Sequence, residues 1–238
     1  MCTATWLRQP GGYHLFHNRD ELRTRLPALP PRIHVYEAIR SLAPIDANAG
    51  GTWIGVNEFK LAACLLNRYD PITQPGPFTS RGQLILHALA TRHMDGAIER
   101  IRALPLHHFQ PFTLALLFPD MPVHVLEWNG NDLNLIDDAD AYLPLVSSSY
   151  DRTRASQVRQ AAYTALPQPH TPQLLRQYHT SHSKNGPDAL SVCMARADAC
   201  TVSFTHIAVS PAEIKLTYHP GPPCEPASDI TLTLKPLF

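Results

Sequence analysis

Residues 2–22 read CTATWLRQPGGYHLFHNRDEL, two apolar-rich runs on either side of a glycine pair. The runs TATWL (3–7) and YHLFH (13–17) are rich in β-branched and aromatic residues, and Gly11-Gly12 between them is a two-residue hairpin signal. With that turn Cys2 lies opposite Glu21 and Ala4 opposite Arg19. Cross-strand partners share a sheet face, so these four side chains point the same way, and Arg19 is the diagonal neighbour of Cys2 at roughly 7 Å between Cβ atoms. A permanent cation at that range favours the thiolate. A slip of one residue in the turn would set Asn18 and Asp20 beside Cys2 instead.

Cys2 directly follows the initiator Met1. Removal of Met1, expected before a residue this small, leaves a thiol and an α-amine on the same carbon. The amine, with a pKa of about 7.7–8.0, is a usable base near neutrality, so an N-terminal nucleophile carries its own proton acceptor. The competing reading of Cys2 is an ordinary small residue at a strand start.

The run Asn18-Arg19-Asp20-Glu21 makes the chain resemble the NRDE family, whose animal members are called transport-and-Golgi-organisation proteins. GGTWIGVN (50–57), LLNRYDP (65–71) with SRG (80–82), and the late SVCMARADACTVSFTHIAV with GPPC resemble further family segments in the same order. The family is in turn similar to the N-terminal-nucleophile (Ntn) cysteine hydrolases such as penicillin V acylase and bile-salt hydrolase. That resemblance implies a four-layer αββα sandwich of mainly antiparallel sheets. It implies Cys2 as nucleophile with its amine as base, Arg19 polarising the thiol, Asp20 holding the amine and Asn67 donating to the oxyanion. Trp53 lies near the site in that fold, Ser147, Ser148 and Ser149 stand where the acylases carry a late asparagine, with Ser148 taken as substrate-binding, and Arg196 matches their late arginine. Arg19 and Asp20 are adjacent here, whereas the acylases separate the two, so a regular strand would send them to opposite faces.

Further along, GTWIGVN and KLAACLLN flank Glu58-Phe59 as a second hairpin. Residues 80–104 read as a helix, with Ser80 as cap and Leu84, Ile85, Ala88, Leu89, Ile98 and Ile101 at helical spacing. Strands are expected at 112–118, 123–128, 132–136, 143–147, 201–209, 213–219 and 230–236, and helices at 152–165 and 172–180. The 23 prolines cluster at 27–31, 71–77, 105–122, 167–172 and 211–226, where they punctuate these elements. The pattern is α+β with short, antiparallel connections in one domain over 1–238.

Twenty basic and twenty acidic residues cancel, which removes the electrostatic footprint of a nucleic-acid binder. The longest apolar run, FTLALLF (112–118), is too short to span a bilayer, and residues 1–12 develop no signal-peptide core. Five cysteines without an export signal suggest reduced thiols in a cytoplasmic protein. No metal motif is formed by the thirteen histidines, and neither glycine pair makes a phosphate loop. The expected activity is hydrolysis of a small amide or acyl substrate at a non-peptide C–N bond, without a cofactor. The resemblance to the animal family members also implies an alternative, a non-catalytic ligand-binding or trafficking protein for haem or lipid, in which Cys2 and histidines contact the ligand in a chiefly apolar pocket. Nothing in the sequence fixes the oligomeric state.

Overall fold

The structure is a computed structural model that describes residues 2–71 and 76–237. The chain forms β1 (Cys2–Gln9), β2 (Gly12–Leu22), β3 (Leu29–Tyr36), β4 (Ile39–Ile45), β5 (Ile54–Asn57) and β6 (Ala62–Asn67), then helices α1 (Gly82–Leu89) and α2 (Met94–Arg102). Strands β7 (Phe112–Leu117), β8 (His124–Trp128), β9 (Leu133–Ile136) and β10 (Leu145–Ser147) follow. The remainder is α3 (Arg152–Thr164), α4 (Pro172–Thr180), β11 (Ala199–Val209), β12 (Ile214–Pro220) and β13 (Ile230–Leu234).

Two antiparallel sheets result, ordered β10-β1-β2-β11-β12-β13 and β3-β4-β5-β6-β7-β8-β9. Alternation along each strand decides which face meets which layer. Cys2, Ala4, Trp6, Tyr13, Leu15, Ile207 and Leu216 of the first sheet pack against Leu42, Ile54, Val56, Cys64, Leu66 and Ala115 of the second. The opposite face of the second sheet, Ala63, Leu65, Leu114 and Leu116, buries Leu84, Ile85, Ala88, Leu89 and Ile98 of α1 and α2. Phe16 and Phe204 on the outer face of the first sheet meet Tyr163, Leu175 and Tyr178 of α3 and α4. The layers are therefore α-β-β-α, the expected sandwich.

Local signals place the late helices as expected. Asp151 caps α3 by accepting from Arg154 N at 2.9 Å, and Thr171 caps α4 ahead of Pro172, whose missing N–H costs nothing in a first turn. The expected helix over 80–104 is instead two helices. Buried Asn57 donates to the carbonyls of Leu89 and Thr91 at 2.9 and 2.7 Å and accepts from the N–H groups of Phe59 and Leu61. It takes over the carbonyls that a continuing helix would use. Ser80 accepts from Gly82 N at 3.3 Å, but the cap position itself belongs to Arg81.

The hairpin registers also differ from expectation. The first turn is Pro10-Gly11, with Gly11 at φ +70° and Gln9 paired to Gly12. Proline's fixed φ suits the first central position and left-handed glycine the second. The second hairpin turns through Glu58-Phe59-Lys60, with Lys60 at φ +69° and Asn57 N bonded to Leu61 O. Strand β3 begins inside the proline cluster at 27–31, where a break was expected, and β4 follows it. Pro30 and Pro31 are tolerated because β3 is an edge strand with irregular register between Leu29 and Arg32. Cys193 and Cys224 form a disulfide, so the expectation of five reduced thiols fails for that pair, while Cys2, Cys64 and Cys200 are free. Among the described residues no helix is long and apolar enough to cross a membrane.

Candidate functional site

Cys2 starts β1 between two strands. Its cross-strand partners are Arg19 on β2 and Ser147 on β10. Arg19 is thus a direct neighbour of Cys2, closer than the diagonal relation the glycine-pair turn implies. The two-residue difference in register preserves which face each side chain takes. Burial pushes the Cys2 thiol up, and the nearby Asp20 charge adds to this, while the Asp20 backbone N–H and the Arg19 guanidinium draw it down.

Adjacent residues of β2 part to opposite faces. Asn18 and Asp20 turn toward the helices. Asn18 donates to the carbonyls of His179 and Val192, both at 2.9 Å. Asp20 accepts from Thr201 Oγ1 at 2.6 Å and from Arg159 at 3.3 Å, and Arg159 also donates to Thr3 Oγ1 at 2.6 Å. Arg19 turns inward. It donates to Asp46 Oδ2 at 2.7 Å, and its guanidinium lies 4.1 Å from the centre of the Trp53 ring.

Asp46 acts twice. Its Oδ1 accepts from the N–H groups of Asn48 and Ala49, folding the loop that leads to Gly50-Gly51. Its Oδ2 receives Arg19 and Arg25, each at 2.7 Å. Burial opposes its charge, but the Arg25 hydrogen bond and the two guanidinium charges prevail and hold the carboxyl below its ordinary range. The same loop meets the start of α1: Thr52 N donates to Gly82 O at 3.3 Å, and Gly51 abuts the Gly82 backbone. The segments GGTW and SRG are therefore contact partners that build one wall of a cleft.

That cleft has a volume of about 490 Å³. Cys2, Arg19, Trp53 and Asn67 line it, joined by Glu21, Arg25, Asp46 and Arg81. Asn67 ends β6 and its side chain is hydrogen-bonded to the Tyr69 hydroxyl. The expected residues Cys2, Arg19, Asp20, Asn67 and Trp53 thus come together, Asp20 with its carboxylate engaged on the helical side. Ser148 and Arg196 do not line this cleft. Ser148 borders a separate small pocket beside Asn67 and accepts from Tyr150 N, and Arg196 pairs with Asp198 at 2.9 Å. Ser147, one residue earlier, is the serine on the face of Cys2. Its hydroxyl and the Trp53 indole N–H are buried without a hydrogen-bond partner among the described residues.

Sequence reasoning missed Asp46, Arg25 and Arg81. An Asp two residues before an Asn and ahead of a glycine pair is a local turn signal for Asp46. Arg25 carries no local signal of its own, and Arg81 lies inside the SRG segment of the family resemblance without being singled out as a site residue. The histidines that a haem- or lipid-binding reading would bring to Cys2 lie elsewhere: none lines the cleft among the described residues, and its lining is charged rather than chiefly apolar. Among the described residues no group of three or more His, Cys, Asp or Glu is arranged to hold a metal ion.

The two facing antiparallel sheets with helices outside share their fold with solved Ntn hydrolases. Penicillin V acylase from Agrobacterium tumefaciens superposes with a TM-score of 0.56 at 11% identity, over 99% of this chain and 86% of that one. The C2A mutant of conjugated bile acid hydrolase from Clostridium perfringens gives 0.58 at 15% identity, over 98% and 92%. The Caenorhabditis elegans ortholog of N-acylethanolamine-hydrolyzing acid amidase gives 0.56 at 13%, over 87% and 92%. Residues 1–167 match the Transport and Golgi organisation 2 family, and the chain belongs to that family. No curated protein matches significantly. The family match ends before α4 and β11–β13, although β11 pairs with Tyr13–Leu22 of the Cys2 hairpin's second strand.

Proposed function

We propose that the protein is an Ntn-type cysteine amidase that hydrolyses a small amide or acyl substrate at Cys2. The observation that carries this reading is the direct pairing of Cys2 with Arg19 at the floor of a polar cleft. Met1 lies outside the described residues, and its removal is part of the proposal. The freed α-amine takes the thiol proton, and sulfur attacks the carbonyl carbon. The C–N bond breaks as the resulting α-ammonium protonates the leaving amine, and water then cleaves the thioester. Arg19 favours the thiolate, and Asp20 is the proposed acceptor for the amine. Asn67 is the proposed donor to the oxyanion, an interaction that contributes about 3 kcal/mol in comparable sites.

Support comes from the fold shared with hydrolases that act on amide-containing molecules, and from the charged character of the lining. Intact-mass spectrometry on protein mixed with an activated acyl ester such as p-nitrophenyl butyrate tests it. The expected result is a chain lacking Met1 that gains one acyl group on Cys2, with no gain in Cys2→Ala. Met1 still attached to active protein, or acylation that survives Cys2→Ala, overturns it.

A further inference from the structure

Charges in the cleft nearly balance. Arg19 and Arg25 share Asp46 at 2.7 Å each, and Glu21 lies 3.5 Å from Arg25 and 3.7 Å from Arg19. Arg81 is the surplus. One edge of its guanidinium donates to the Pro111 carbonyl at 2.9 Å, which fixes its orientation. Among the described residues it makes no ion pair, and Glu21, Tyr69 and Cys2 act on it only at longer range. Its position follows from the Gly51–Gly82 contact, since only a backbone lacking Cβ atoms lets the first turn of α1 press against the Thr52 backbone and hold residue 81 at the cleft wall.

A half-buried guanidinium without a carboxylate is costly, and its planar fork matches a carboxylate better than any neutral group. We propose that Arg81 receives a carboxylate of the substrate, which makes the substrate an N-acylated amino acid rather than a neutral amide. The naming of the scissile amide rests on the reading of Cys2 as nucleophile; the carboxylate seat does not.

Binding in a protein that cannot turn over separates the two claims. Cys2→Ala protein is titrated calorimetrically with N-octanoylglycine and with its neutral counterpart N-octanoylethanolamine. The acylglycine is expected to bind at least about tenfold more tightly. That preference disappears in C2A/R81Q and is partly kept in C2A/R81K, with circular dichroism verifying that both fold. Equal affinity for the two probes, a preference that survives Arg81→Gln, or no saturable binding of either probe up to millimolar concentration overturns the proposal. A carboxylate preference in Cys2→Ala protein together with no acylation of Cys2 in the wild type leaves the Arg81 assignment standing and removes the enzyme reading.

Discussion

Gly51 and Gly82 touch backbone to backbone: a Cβ on Gly51 would sit 2.7 Å from the Gly82 carbonyl carbon, and one on Gly82 would sit 2.9 Å from Thr52 N. Neither obstacle is a flexible side-chain tip, so the clash is relieved only by moving α1 from the loop. Gly51→Ala is expected to cost about 2–3 kcal/mol of stability and to widen the cleft, raising KM more than it lowers kcat. Gly50 is the control. It has φ +67° and open space, so Gly50→Ala costs only about 1 kcal/mol from left-handed strain. Urea unfolding of the two variants checks the order, and equal midpoints would refute the wall contact.

Asp20 and Arg159 form an ion pair whose two side chains are both fully buried. Arg159→Met leaves the Asp20 carboxylate buried without its counter-charge and is expected to cost about 3–5 kcal/mol. Removing both charges in Asp20→Leu/Arg159→Met restores part of that loss, because two uncharged side chains need no mutual compensation. Chemical denaturation of the single and double variants measures the coupling. A double variant whose loss equals the sum of the single losses would show that the pair does not act as a unit.

Face assignment in the first hairpin was legible from the sequence, and register was not. Alternation alone sends Cys2 and Arg19 to one side and Asp20 to the other, whichever glycine makes the turn, provided the shift is by two residues. The turn itself depends on a distant strand. A Cβ on Gly12 would meet Val209 O at 2.0 Å, so Gly12 is a glycine for the sake of β11 and not for the turn. The break between α1 and α2 is likewise imposed from outside, by Asn57 on β5. Strand β3 was hidden by Pro30 and Pro31, which only its edge position explains. Of the cleft, the residues within the first hairpin could be foreseen and Arg81 sits in a quoted motif whose place at the cleft was not, whereas Asp46 and Arg25 reach it through loops joined only in three dimensions.

Arg19 has two tasks that separate on substitution. As a charge it lowers the Cys2 thiol against burial, and as a planar group it lies over Trp53 and bonds Asp46. Arg19→Lys keeps the charge and loses the stacked fork. Arg19→Leu loses both, and without the guanidinium the Cys2 thiol is expected to be pushed further up by its burial. The pH dependence of Cys2 alkylation by iodoacetamide, read by peptide mass spectrometry, is expected to move its midpoint to higher pH for Arg19→Leu and little for Arg19→Lys. Identical profiles for wild type and Arg19→Leu would remove the guanidinium from the chemistry.

Three histidines tie stability to pH. His179 is locked neutral: Asn18 uses its amide N–H groups on two carbonyls, so its Oδ1 accepts from His179 Nδ1 at 3.0 Å, leaving Nε2 to accept from Thr5 Oγ1 at 2.9 Å. Burial holds its pKa well below the ordinary value. His17, buried in full, and His206, stacked 4.3 Å from the Phe16 ring, are pushed down to about 3 by the same desolvation. The unfolded chain binds these protons near pH 6.5 while the folded chain refuses them until far lower. Stability is therefore full above about pH 6.5 and falls as pH drops from there toward 3, by about 1.4 kcal/mol per pH unit for each histidine. His206→Gln is expected to remove one proton's share of that slope, seen as a shallower fall of urea-unfolding free energy between pH 6.5 and 5. A variant slope equal to that of the wild type would mean that His206 already takes up its proton in the folded protein.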